Sequence, residues 1–176
     1  PRMSEPEVVR HYTRISQWNF SVDTNFYPLG SCTMKYNPKV NEAIARFPGF
    51  ANLHPLSDDD DAQGTLGLIH DLGLWLCEIT GLFAATLQPA AGAHGEFTGL
   101  MMIRAALEER GDARSTVLLP DSSHGTNPAS ATLCGYKSKT LTSGDDGLID
   151  MAELDKMMDD SVAAIMITNP NTLGIF

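Results

Sequence analysis

Apolar runs alternating with amphipathic helical stretches constrain this chain more than any other feature. From about residue 62, Leu68, Leu72, Trp75 and Ile79 fall at i, i+4, i+7 and i+11, one face of a helix that Gly81 can end. "FAATLQ" then reads as a first strand. Phe97, Leu100, Ile103 and Leu107 mark a second helical face, closed by Gly111. "STVLLP" reads as a second strand, a short helix is expected over 127–134, and the alternating "YKSKTL" reads as a third strand. Asp150 with Glu153 makes a capping-box-like start to a helix lined by Met151, Leu154 and Met158. "VAAIMI" is apolar throughout, as expected of a strand buried on both faces. Such alternation predicts an α/β domain with a mostly parallel sheet, and right-handed crossovers place helices on both faces.

Residues 1–60 differ. They are rich in aromatics, Pro and Asn with little periodicity, and read as an N-terminal arm with short helices near 4–17 and 38–46. The domain is then 61–176, and 176 residues suffice for one sizeable core. A net charge of −10 with only 12 Lys and Arg argues against a nucleic-acid partner, which would call for a basic patch. The densest charge run, Asp58–Asp61, reads as a solvated loop, since no EF-hand spacing accompanies it. Cys32, Cys77 and Cys134 are odd in number and lack CxxC spacing, which suits free thiols in a reducing compartment. No apolar run approaches the length of a membrane span, and the first residues contain no signal-peptide core. The chain lacks an initiator Met and stops inside "NPNTLGIF", so it is expected to be a piece of a longer protein.

In open α/β sheets ligands bind beyond the carboxyl ends of the strands. The segments that follow the first, second and fourth expected strands are "PAAGAHGE", "PDSSHGTNPA" and "TNPNTLG", all rich in small or polar residues. A bare glycine-rich turn that opens a helix leaves N–H groups unpaired at the positive end of the helix dipole, an arrangement suited to a phosphate. It equally allows close packing of helix on sheet. The pattern is neither a GK[ST] phosphate loop nor a GxGxxG turn. His94 and His124 fit structural hydrogen bonding, or stacking and proton transfer at a ligand. Glu96 can cap the helix start or act in chemistry, and Asp121 can cap the next turn. Asn169 and Asn171 flank Pro170 in a turn, where their side chains could meet a ligand hydroxyl. In the arm, "FYPLGSCTMKYNPK" brings Ser31, Cys32, Thr33 and Lys35 together beside aromatics, as a surface loop or as an arm folded over a site.

"FYPLGSCTMKYNPK", "QPAAGAHGE", "PDSSHGTNPA" and "TNPNTLG", in that order, closely resemble the P-protein of the glycine cleavage system, glycine dehydrogenase (decarboxylating), in its C-terminal half, which some bacteria make as a separate subunit. The resemblance covers nearly the whole chain. It implies the N-terminal part of the large pyridoxal-phosphate-binding domain of the aspartate-aminotransferase fold, truncated here, with the arm in front. It also implies decarboxylation of glycine and transfer of the aminomethyl group to the lipoyl arm of H-protein. The family works in the bacterial cytoplasm or the mitochondrial matrix, as a homodimer or as a heterotetramer with the other P-protein half. By resemblance, Gly92, Ala93 and His94 cradle the cofactor phosphate, and His124 stacks on the pyridine ring. Asn171 or Thr172 lies near the ring hydroxyl, and Ser31, Cys32 and Thr33 lie near the substrate.

The family's Schiff-base lysine, in a His-Lys motif, and the Asp that pairs with the pyridine nitrogen are absent from these 176 residues. Lys35, Lys39, Lys137, Lys139 and Lys156 do not match the motif. The piece is therefore expected to be inactive alone. A cysteine desulfurase or aminotransferase of the same fold would share the loops without "YPLGSCTMK", and a non-catalytic scaffold would bind no cofactor.

Overall fold

Strand β1 (Thr116–Pro120) is buried at every position and lies at the centre of a three-stranded sheet. It pairs in parallel with β2 (Lys137–Leu141), from Thr116 beside Lys137 to Pro120 beside Leu141, and with β3 (Val162–Ile165), so the order is β2-β1-β3. The computed structural model that shows this describes residues 2–26 and 36–176. The chain divides into two compact units, Pro1–Thr65 and Leu66–Phe176.

The first unit holds α1 (Glu5–Ser16), α2 (Lys39–Ala45), α3 (Pro48–Ala51) and the start of α4 (Asp59–Thr80). Glu7 fastens the start of α1 by accepting from the Ser4 N–H at 2.8 Å and the Ser4 hydroxyl at 2.7 Å. An exposed Lys39–Asp23 ion pair at 2.8 Å ties α2 to the segment after α1.

The second unit contains the remainder of α4, then α5 (Gly92–Glu109), β1, α6 (Thr126–Leu133), β2, α7 (Met151–Met157) and β3. Alternation along β1 sorts its side chains onto two faces. Val117 and Leu119 pack with Leu100 of α5 and with Ala131, Cys134 and Tyr136. Leu118 turns the other way, onto Leu141, Val162 and, from α7, Leu154 and Met157. Helices therefore cover both faces of a parallel sheet, as expected. Gly81 and Gly111, at φ of 70° and 71°, end α4 and α5. Asp150 caps α7 by accepting from Ala152 N–H at 2.8 Å and Glu153 N–H at 3.2 Å. The capping box is only half made, because Glu153 accepts from Thr142 instead.

Three expectations need correction. "FAATLQ" is not a strand: a strand exists only by pairing, and no described strand pairs with Phe83–Gln88, where Phe83 is fully exposed. The loop before α5 therefore follows a helix and an irregular segment. The acidic run is not a loop, since Asp59–Asp61 form the first turn of α4, where carboxylates suit the positive end of the dipole. The face Leu68, Leu72, Trp75 and Ile79 is helical, as expected, and exposed along its length. β3 is an edge strand whose apolarity exceeds its burial, and the strand buried on both faces is β1.

After α6 the chain turns at Gly135, where φ is +79°. A Cβ built there would lie 2.5 Å from Nη1 of Arg104, whose guanidinium donates to the Cys134 carbonyl at 2.6 Å. Gly135→Ala combines a left-handed backbone with displacement of that bond. It is expected to cost about 1–3 kcal/mol, read as a lowered midpoint in chemical denaturation of the full-length protein.

Candidate functional site

Helix α5 begins without a side-chain cap. Its N-cap residue is Ala91, and the first helical bond runs from the Gly95 N–H to the Ala91 carbonyl at 3.0 Å. The N–H groups of Gly92, Ala93 and His94 lie ahead of that bond. All three residues are exposed, and a Cβ at Gly92 would meet nothing within 4 Å. Small side chains thus leave three donors open at the positive end of an 18-residue helix. Among the described residues no side-chain cap satisfies those donors, an arrangement suited to a phosphate.

His124 sits between β1 and α6 and is half-buried. Its Nδ1 lies 2.7 Å from the Thr126 hydroxyl and 3.1 Å from the Thr126 backbone nitrogen, which fixes the ring on the first residue of α6. The Thr126 hydroxyl donates in turn to Oε1 of Glu96 at 2.9 Å, and Ser130 donates to Oε2 at 3.0 Å. Glu96 therefore neither caps α5 nor faces solvent freely. It crosses to α6 and joins the bare helix start, two residues earlier in α5, to the segment holding His124. Thr126 and Ser130 were missed in the sequence. Their signal was their spacing: four apart in "TNPAS", they share one face of α6.

The other polar residues serve the loops themselves. Asp121 does not cap a turn: its carboxylate accepts from the Ser143 N–H at 3.1 Å and from the Ser143 hydroxyl, tying the end of β1 to the chain beyond β2. The Ser143 hydroxyl and then its N–H hold the Asp121 carboxyl below its ordinary value. A lowered folded-state value means that the stabilisation is present at neutral pH and lost as the carboxylate protonates. The stability gap between wild type and Asp121→Ala is therefore expected to close as pH falls below about 4, as followed by thermal melts across pH.

Asn171 donates to the Gly147 carbonyl at 2.9 Å and accepts from the N–H groups of Leu173 and Ile175 at 2.9 and 3.0 Å. Thr172 donates to the Ser122 carbonyl at 2.8 Å, which holds the loop after β3 beside the one that carries His124. A cavity of about 310 Å³ opens here, lined by Pro120, Ser122, Ser123, Thr168, Asn169 and Asn171 among others. None of Gly92–His94 lines it, nor does His124. The bare helix start is an open shelf, not a closed pocket. Ser31, Cys32, Thr33 and Lys35 lie outside the described residues. Among the described residues, no three His, Cys, Asp or Glu side chains are placed to hold a metal ion, and no helix is long and apolar enough to cross a membrane. Cys134 is a small core residue, and burial pushes its thiol up.

No family model matches the chain. Two similar proteins are named probable glycine dehydrogenase (decarboxylating) subunit 2, from Bacillus licheniformis and Listeria welshimeri. Each is 59% identical over 177 residues, covering 100% of this chain and 36% of the relative. Among solved structures, a glycine decarboxylase (P-protein) of the glycine cleavage system, in inhibitor-bound form, matches 99% of this chain and 38% of its own, with a TM-score of 0.72 and 23% identity. A sphingosine-1-phosphate lyase of Burkholderia pseudomallei matches 92% of this chain and 39% of its own, with a TM-score of 0.59 and 13% identity. These two likenesses bear out the expected fold, the large domain of the aspartate-aminotransferase type. Along its whole length the chain is thus 59% identical to proteins named glycine dehydrogenase (decarboxylating) subunit 2, of whose length it spans 36%.

Proposed function

We propose that this chain supplies the phosphate- and ring-binding part of a pyridoxal-phosphate site in a glycine decarboxylase of the glycine cleavage system. The observation that carries the reading is the uncapped start of α5 coupled through Glu96 and Thr126 to His124, in a chain 59% identical to relatives named for that reaction. The described residues fit the cofactor: three open N–H groups suit its dianionic phosphate, and a fixed imidazole suits its aromatic ring.

When bound, pyridoxal phosphate supplies an electron sink for the electrons left as glycine loses its carboxylate. The chain's own residues do the rest of what can be assigned here. Gly92, Ala93 and His94 bind the phosphate through backbone donors and so fix the position of the cofactor. His124 stacks on the ring, with Thr126 holding its Nδ1 edge. Asn171 or Thr172, on the loop joined to Ser122, lies toward the ring hydroxyl.

The aminomethyl group then passes to the lipoyl arm of H-protein. No His-Lys motif occurs in these 176 residues, so the lysine that anchors the cofactor must come from the remainder of a protein of the relatives' length, and these residues alone are inactive. The name "subunit 2" of the relatives favours a heterotetramer with a second kind of subunit over a homodimer. Their bacterial sources, with Cys77 and Cys134 as free thiols, favour the cytoplasm.

The test is release of labelled carbon dioxide from carboxyl-labelled glycine by the full-length protein with its companion subunit. Lipoylated H-protein is expected to accelerate release strongly. Release indifferent to H-protein, or sulfur released from cysteine instead, would overturn the assignment.

A further inference from the structure

We infer that Glu96 and Thr126 are positioning residues that set the orientation of the His124 ring, a role that rests on the pyridoxal-phosphate reading above. Glu96 Oε1 accepts from the Thr126 hydroxyl at 2.9 Å, and the oxygen of that hydroxyl lies 2.7 Å from His124 Nδ1. Glu96 Oε2 is held independently by Ser130, which is buried. The carboxylate is thus braced on α6 at two points one turn apart, and only one of them reaches the histidine. The Thr126 backbone nitrogen also lies 3.1 Å from the same ring nitrogen. Two contacts from one residue to one edge of the ring restrict its rotation and leave the Nε2 edge and the faces to a ligand.

A hydroxyl has one hydrogen to give. While it goes to Glu96, a charged acceptor that favours it, the Thr126 oxygen can only accept from Nδ1, so the ring carries its hydrogen on that nitrogen. When Glu96 is replaced, the hydroxyl is free to turn round and the ring loses a fixed partner. The carboxylate on α5 therefore reaches the ring through a single intermediate oxygen. Because the same helix begins with the open N–H groups of Gly92–His94, the device also ties ring orientation to the place where the phosphate binds.

The test uses full-length apo-protein titrated with pyridoxal phosphate, reading affinity by fluorescence and ring geometry by the circular dichroism of the bound cofactor. Thr126→Val, which keeps the shape and removes the hydroxyl, is expected to weaken binding about tenfold, as loss of a charge-assisted hydrogen bond would, and to change the cofactor dichroism. Thr126→Ser, which keeps the hydroxyl, restores both. Glu96→Ala reproduces the Thr126→Val dichroism. Wild-type affinity and dichroism in Thr126→Val would overturn the inference, as would a Thr126→Ser variant as impaired as the valine. If His124→Ala binds weakly while Thr126→Val binds normally, the positioning role fails and the cofactor reading stands. If wild type itself binds no pyridoxal phosphate, both fail. Thermal melts of the apo-variants separate misfolding from misplacement, because a purely structural role lowers stability without altering the dichroism of what still binds.

Discussion

Ala93→Asp in the full-length protein is expected to reduce pyridoxal-phosphate affinity by about a hundredfold or more while leaving the apo-protein as stable as wild type, or slightly more so. Ala93 is exposed in the first turn of α5, in a stretch with no side-chain cap. An aspartate there meets no steric obstacle. It satisfies the open N–H groups itself and complements the helix dipole, which favours the helix by about 0.3–1 kcal/mol. The same carboxylate places a negative charge at the proposed phosphate position and competes for its donors. Two charges of like sign about 4 Å apart repel by about 4 kcal/mol near a protein surface, which allows a loss of a hundredfold with room to spare. Stability and affinity thus move apart, which no general loss of folding can imitate. The readouts are a fluorescence titration and an apo-protein melt. Unchanged affinity would remove the phosphate from the start of α5.

Leu118→Ala is expected to lower the stability of the full-length protein by about 3–4 kcal/mol. Leu118 is completely buried at the middle of the central strand, where it meets Leu141, Val162, Leu154 and Met157 on the α7 side of the sheet. Strand and helix backbones bound the site, so little can collapse to fill the space. Leu118 also precedes by only a few residues the loop that carries His124, so movement of β1 reaches the site. Urea denaturation measures the effect, and a loss below about 1 kcal/mol would mean that the α7 face of the sheet is not a packed core.

The parts of the fold legible in the sequence were those fixed by local pattern. "STVLLP", "YKSKTL" and "VAAIMI" became three parallel strands, and the helical faces around Leu100 and Leu154 found the core. Glycines at Gly81 and Gly111 ended helices because only the local backbone decides that. What failed depended on a partner distant in the chain. "FAATLQ" has strand composition, but pairing is a property of two segments, and its composition could not reveal that no described strand pairs with it. The face of Leu68 and Trp75 has helical spacing, but periodicity specifies a face, not what covers it. The order β2-β1-β3, which makes β3 an edge, follows from crossovers that composition does not encode.

The same division holds at the site. The glycine-rich turn and His124 were legible because each has a local signature. The role of Glu96 was not, because its partners Thr126 and Ser130 are 30 and 34 residues away. Asp121 was misplaced for the same reason: its partner Ser143 is reached only once β1 and β2 pair in parallel.

The central claim is that this chain's bare helix start recognises a phosphate carried by an aromatic aldehyde. The most direct measurement is a paired titration of full-length apo-protein with pyridoxal phosphate and with pyridoxal, which differ only in that group. The account predicts far tighter binding of the phosphorylated form, with the advantage abolished in Ala93→Asp. Equal affinity for the two in the wild-type protein would contradict it.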